Sequence, residues 1–129
     1  MIAWLRAWGP ALICAALFFY ASSRTGLSLP LGGGRDKLAH FAAYSVFGFA
    51  LGHAGAYSRL PIAVTVAIGS LYALSDEVHQ SFVPGRSTEF GDWLADSIGV
   101  LAGLAAYQYA RRLRSRSGAR PGAGNSTDP

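Results

Sequence analysis

Four long apolar runs constrain the fold of this chain more than any other feature. They cover about residues 8–22, 38–54, 61–80 and a fourth run that begins near Ser87 or Thr88 and ends at Ala110. A helix of roughly 20 apolar residues crosses the hydrocarbon core of a bilayer, and the first run reaches that length if it begins near Leu5. Charged residues make up 14% of the chain, well below the roughly 25% of an ordinary soluble domain. The sequence therefore predicts an all-α integral membrane bundle of four transmembrane helices.

The runs divide the chain into two parts. We predict a transmembrane domain over residues 1–110 and a disordered tail over 111–129, which is first basic and then rich in Gly, Ser and Pro. The first run also fits a cleaved signal peptide loosely, because Arg6 precedes it and small residues end it. The single cysteine, Cys14, lies inside this run and excludes a disulfide framework.

The distribution of basic residues predicts the topology. Seven arginines would lie on the side of the termini (Arg6, Arg59, Arg111, Arg112, Arg114, Arg116, Arg120), against four cations on the other side (Arg24, Arg35, Lys37, Arg86). Cytoplasmic loops carry the excess of Lys and Arg. We therefore expect both termini in the cytoplasm of a bacterial inner membrane. No aromatic residues alternate with the basic ones in the tail, so an anionic lipid surface is the expected partner rather than nucleic acid.

An acidic stretch from residue 75 to residue 96 joins the third run to the fourth. It contains five of the seven acidic residues, together with His79 and Arg86, and Pro84-Gly85 breaks the chain within it. Ionisable groups at the end of a hydrophobic span are costly unless they pair, face water or serve a function. The stretch is therefore the candidate functional site.

Polar residues from three predicted helices meet at this end. One face of the third helix carries Tyr72, Asp76, His79 and Gln80, and Glu77 lies about 100° away from that face. The second helix opens with Asp36 and His40, and the fourth with Asp92 and Asp96, followed on the same side by Gly99 and Gly103. Small residues at such spacing let helices pack closely. We expect one polar pocket at the outer face of the membrane.

The residues allow several kinds of chemistry in this pocket. Two histidines and several acids suit a divalent metal ion, although their spacing matches no known ligand signature. His40 or His79 beside Asp76 would suit acid–base work. Lys37 and Arg86 could instead neutralise the acids, or bind the phosphate of a lipid. These alternatives stay open at the level of the residues.

Three motifs in the second, third and fourth runs resemble those of the VanZ-like family of small bacterial membrane proteins. The first is D-K-x-x-H-x-x-x-Y, from Asp36 to Tyr44. The second is D-E-x-x-Q, from Asp76 to Gln80, followed by Pro-Gly-Arg. The third is D-x-x-x-N-x-x-G-x-x-x-G, which begins at Asp92 and has Asp96 where the family pattern has asparagine.

The resemblance implies a multi-helix membrane protein of the cell envelope, associated with low-level resistance to the glycopeptide teicoplanin, and it implies no known reaction. We expect the protein to bind or act on an anionic envelope lipid or cell-wall precursor. A lipid-phosphate hydrolase or transferase, and a non-catalytic scaffold, are the alternatives. The candidate catalytic residues are His40, Asp76, Glu77, His79 and Asp92, and the candidate ligand-binding residues are Asp36, Lys37, Tyr44, Gln80, Arg86 and Asp96. We predict no specific metal ligands and no specific cofactor.

Overall fold

The computed structural model describes residues 1–24, 35–86 and 88–118. Within these residues the chain forms four α-helices and no strand, which confirms the all-α prediction: α1 (Ile2–Ser22), α2 (Arg35–Tyr57), α3 (Ile62–Gln80) and α4 (Phe90–Gly118). The candidate helix cap Ser87 and residues 119–129 of the predicted tail lie outside the described residues.

The last helix is longer than the sequence predicts. We expected disorder to begin at residue 111, but α4 continues to Gly118. Arginine and leucine are good helix formers, and basic residues near the C-terminal end of a helix interact favourably with its dipole. The predicted disorder is therefore wrong for residues 111–118.

The four helices run antiparallel to their neighbours along the chain, so that α1 and α3 end where α2 and α4 begin. We call this side the polar end. Here Arg86 Nη2 donates a hydrogen bond of 3.1 Å to the carbonyl of Ala21, and Lys37 Nζ lies 2.7 Å from Glu89 Oε2. At the opposite end, the Trp8 indole N–H donates to Ser58 Oγ over 2.9 Å. Short connections between helices favour this antiparallel arrangement.

Helices α2 and α4 pack with their backbones in contact along a line of small residues. A Cβ on Gly99 would lie 2.6 Å from the carbonyl oxygen of Phe41, and one on Gly103 would collide with the carbonyl of Ser45. Gly48 meets the backbone of Val100 in the same way. We call these three glycines the glycine seam. No larger residue fits there, so the seam fixes the spacing and the register of the two helices.

The outer surface of the bundle is apolar on every helix. Among its exposed side chains are Ile13 and Leu17 of α1, Val46 and Phe49 of α2, Leu71 and Leu74 of α3, and Ile98 and Leu101 of α4. Of the described helices, α1 is the one long and apolar enough by composition to cross a membrane. Acids, histidines and glycines lower the mean hydropathy of α2, α3 and α4 below that of a membrane-spanning helix. Composition therefore establishes one candidate span rather than the four expected.

Candidate functional site

Lys37 joins the start of α2 to the start of α4. Its ammonium nitrogen lies 2.7 Å from Glu89 Oε2, 2.8 Å from Asp92 Oδ1 and 3.9 Å from Asp36 Oδ2. Lys37 precedes the apolar run of its helix, and the hydrogen bonds to Asp92 and Glu89 raise its pKa above the usual value of a lysine. The charge of Lys37 is thus taken up by carboxylates of the protein.

A second group of side chains lies deeper, between α2, α3 and α4. One ligand atom from each of His40, Glu77 and Asp96 lies within 4.8 Å of the other two. His40 Nδ1 and Asp96 Oδ1 are 3.0 Å apart, a hydrogen-bonding distance. We call these three residues the acid–histidine triad. Each comes from a different helix, and the one-turn offset of Asp96 from Asp92 separates the triad from the Lys37 cluster.

The triad holds carboxylate oxygens that have no hydrogen-bond partner among the described residues. Both oxygens of Glu77 are buried without a partner, and so is Asp96 Oδ2. The exposed fraction is 7% for Glu77 and 0% for Asp96. Most buried polar side-chain atoms in proteins have a partner, and these oxygens are available to accept a hydrogen bond or to bind a cation.

Asp76 occupies the other side of α3 and faces a pocket of about 200 Å³. Its Oδ2 accepts a hydrogen bond of 3.0 Å from Gln80 Nε2, and the Tyr44 hydroxyl lies 3.5 Å from the same oxygen. Asp76 Oδ1 is buried without a partner in the described part of the chain. His40 and Arg86 also line this pocket, so it adjoins the triad and contains one arginine.

Helix α1 forms the remaining wall of the pocket, which the sequence did not predict. Phe18, Ala21 and Ser22 line it. Apolar and small side chains in a membrane-grade helix give no signal of a binding role, so only the packing reveals them. The first apolar run predicts a membrane span or a signal peptide and no part in the site.

His79 lies apart from the other candidate site residues. Its Nε2 is 2.9 Å from Ser23 Oγ, and its ring stacks on Phe19 with the centroids 4.5 Å apart. His79 therefore holds α3 against the end of α1. Of the residues that the sequence places on one face of α3, Asp76 and Gln80 line the pocket, whereas His79 contacts the end of α1.

The reason is that α3 has two inward faces. One contacts α1, where the Tyr72 hydroxyl donates to the carbonyl of Ala15. The other contacts α4, where the indole N–H of Trp93 donates to the carbonyl of Ser70 over 3.2 Å. Glu77 lies on this second side and reaches the triad. A helix between two neighbours can bury residues about 100° apart, and Asp76 and Glu77 are both buried.

The sequence from residue 8 to residue 111 matches the model of the VanZ/LLP1 family. The chain belongs to this family. The matched region of this VanZ-like protein includes most of α1 and all of α2 and α3. It also includes Lys37 with its acidic partners and the acid–histidine triad. No curated protein and no solved structure matches the chain.

Family membership does not assign roles to the residues of this site. The structure brings His40, Glu77 and Asp96 together, groups Asp76, Gln80, Tyr44 and Arg86 around the adjoining pocket, and pairs Lys37 with Asp36, Glu89 and Asp92. It places His79 against α1. Catalytic roles for His40, Asp76, Glu77, His79 and Asp92 stay predictions.

Proposed function

We propose that this VanZ-like protein is a four-span membrane protein that binds the anionic head group of an envelope lipid or lipid-linked cell-wall precursor. The four-span part is supported by the apolar outer surface, which extends over all four helices. Large exposed apolar patches mark surfaces that meet a membrane or a partner. Asp76, Glu77, Asp92 and Asp96 of α3 and α4 are buried inside the bundle, as ionisable groups within a membrane are.

The polar end would face the periplasm, with both termini in the cytoplasm. Arg59, Arg111, Arg112, Arg114 and Arg116 lie at the opposite end of the bundle, as the positive-inside rule requires of a cytoplasmic side. A green fluorescent protein fused to the C-terminus should fluoresce, and alkaline phosphatase fused at the same place should be inactive. Active phosphatase would overturn the orientation.

The observation that carries head-group binding is the position of Arg86 on the 200 Å³ pocket. Its Nη2 binds the Ala21 carbonyl, and its Nε is buried without a partner among the described residues. Guanidinium N–H groups suit phosphate oxygens well. Lys37, the other predicted member of an anion clamp, is instead bound by Glu89 and Asp92. Arg86 is therefore the anion-binding residue of the proposal.

The rest of the pocket suits a lipid head group of mixed polarity. Asp76 Oδ1 has no partner in the described part of the chain and can accept a hydrogen bond from a hydroxyl or ammonium group of the ligand. Phe18, Ala39 and Ala43 supply an apolar wall, against which the first carbons of an acyl or prenyl chain would pack. A binding site with few polar groups among apolar ones is typical of small-ligand pockets.

Lipid analysis of the purified protein tests this function. Wild type, Arg86→Gln and Arg24→Gln would be purified in a mild detergent, and bound lipids would be quantified by mass spectrometry. Arg24 lies at the same end, exposed, with its guanidinium on the Tyr20 ring, so Arg24→Gln removes the same charge outside the pocket. We expect an anionic lipid to be retained by wild type and by Arg24→Gln and lost at least tenfold in Arg86→Gln. Equal retention in all three would overturn the proposal.

The link to glycopeptide resistance has its own test. A teicoplanin-sensitive host would express wild type or Asp76→Asn at matched membrane levels. We expect wild type to protect the host and Asp76→Asn not to protect it. The substitution replaces the carboxylate that accepts the hydrogen bond of Gln80 with a neutral amide. Equal protection by both proteins would show that this carboxylate has no part in resistance.

A further inference from the structure

We infer that the acid–histidine triad is a binding site for one divalent transition-metal ion. His40 supplies a ring nitrogen, and Glu77 and Asp96 each supply a carboxylate oxygen. This inference concerns a site next to the head-group pocket and does not depend on lipid binding.

The partnerless oxygens of Glu77 are the observation that points to a cation. Glu77 is 7% exposed, and no donor among the described residues meets either of its oxygens in good hydrogen-bond geometry, although the backbone of Glu89 lies nearby. Glu77 and Asp96 lie in the same small volume, where one imidazole is the only basic group of the triad. A buried charge without a partner destabilises the folded protein strongly, and one divalent cation would neutralise two such charges.

The nearby cations of the protein do not fill this role. Lys37 Nζ contacts Glu89 and Asp92 rather than the triad. Arg86 donates to the Ala21 carbonyl, and no carboxylate in residues 1–24, 35–86 and 88–118 makes an ion pair with it. Neither Lys37 nor Arg86 therefore forms an ion pair with the carboxylates of the triad.

The donor set selects the class of ion. Imidazole suits zinc, copper, iron and nickel, whereas calcium and magnesium sites are built from oxygen ligands. Metal–ligand bonds of about 2.0–2.2 Å place the ligand atoms of a tetrahedral site roughly 3.3 Å apart. The His40 Nδ1 to Asp96 Oδ1 distance is 3.0 Å, and the whole triad fits within 4.8 Å. Three protein ligands leave a position for water, as in sites that exchange ligands.

The geometry also explains why the spacing of these residues along the chain matches no known ligand signature. The three residues come from α2, α3 and α4, and none is within one helical turn of another along the chain. A metal signature such as H-E-x-x-H places its ligands on one helix. Here the glycine seam brings His40 and Asp96 together by holding α2 and α4 in register, and Glu77 comes from α3.

Metal binding by the full-length protein tests the inference. The protein would carry an affinity tag without histidine, be stripped with EDTA in detergent and be titrated with Zn²⁺ against a fluorescent zinc indicator. Metal content after dialysis would be measured by mass spectrometry. We expect one Zn²⁺ per chain for wild type, and at least a 100-fold weaker affinity for Glu77→Gln and Asp96→Asn.

Asp36→Asn is the matched control, because Asp36 is a partly exposed acid at the same end and lies outside the triad. It should bind Zn²⁺ like wild type. A wild-type protein that binds no Zn²⁺, or a Glu77→Gln protein that binds as tightly as wild type, would overturn the inference. Loss of Zn²⁺ binding in Asp36→Asn to the same degree would also overturn it, because the effect would then be one of total charge. Folding of each variant is checked by gel filtration. The zinc measurement and the lipid measurement on Arg86→Gln are independent of each other.

Discussion

The glycine seam and the acid–histidine triad are built on the same two helices and follow opposite rules. In the seam, Gly99 and Gly103 of α4 meet the backbone of α2 with no polar side chain between them. One turn earlier, Asp96 of α4 meets His40 of α2, and carboxylate oxygens remain without partners in the described chain. The close packing of the seam stabilises the pair of helices. The triad destabilises it, because two carboxylates lie close together there. Close packing at the seam holds α2 and α4 together, and the same two helices carry His40 and Asp96 to their contact at the polar end.

The largest effect should come from filling the seam. In Gly103→Leu the new side chain would collide with the Ser45 carbonyl and with Phe49 N at 2.7 Å. Overpacking costs about 1–3 kcal/mol and more where the backbone itself obstructs the side chain, so we expect a loss of about 3 kcal/mol or the absence of folded protein. Folded protein is measured by gel filtration and thermal unfolding in detergent.

Gly9→Leu in α1 is the control for this change, because no atom lies within 4 Å of a Cβ built on Gly9. It adds the same side chain to a helix at an open position. We expect it to insert and to unfold at the wild-type temperature. If Gly103→Leu unfolds at that temperature too, the close contact of α2 with α4 is not what holds the bundle.

A smaller effect, of opposite sign, should come from removing a charge in the triad. In the presence of EDTA, Glu77→Gln replaces a buried carboxylate that has no partner in the described chain with a neutral group of the same shape. Relief of an uncompensated buried group is worth about 1–3 kcal/mol. We therefore expect the metal-free variant to unfold at a higher temperature than metal-free wild type.

Asp36→Asn again separates the site from general charge, since it should leave the unfolding temperature nearly unchanged. With Zn²⁺ present the order should reverse, because wild type gains stability from the bound ion and Glu77→Gln does not. A Glu77→Gln protein that is less stable than wild type in EDTA would show that the carboxylate has a partner in the folded protein.

The smallest effect should come from Lys37→Met, at the partly exposed start of α2. Its charge is partly exposed, so its ion pairs are weakened by salt. The pKa of Lys37 is raised in the folded protein, so its contribution is complete below the usual lysine value of about 10.4 and is lost only as the pH rises through the folded-state value.

The unfolding temperatures of wild type and Lys37→Met would be compared at several pH values and salt concentrations. Their difference should stay constant between about pH 6 and pH 9.5, below the usual lysine pKa of about 10.4, and should shrink in about 1 M NaCl. A difference that disappears already near pH 8, or that survives high salt unchanged, would contradict the assignment of these ion pairs.

Local patterns in the sequence predicted the helices well and the site only in outline. Apolar runs and the Pro84-Gly85 break indicate where the helices lie, because these signals are local. The partner of each polar residue depends on which helices are neighbours, so the sequence could not separate Glu77, which faces α4, from His79, which contacts Ser23. The continuation of α4 through Arg111 was missed because basic composition alone does not distinguish a helix end from a tail.

Helix α1 has few buried residues, and this has a consequence for how the proposed ligand would reach the pocket. Ala7, Ala11 and Ser22 are its buried residues, and the hydrogen bonds of Arg86 and His79 join its last residues to α3 and the segment after it. Regions with few buried contacts open at the lowest free energy. Swinging the end of α1 outward would break those two bonds and uncover the pocket while α2 and α4 stay locked together. Arg86 would then have two roles in this motion. Its hydrogen bond to Ala21 keeps α1 closed over the pocket, and its guanidinium would be the first group that an entering anion meets.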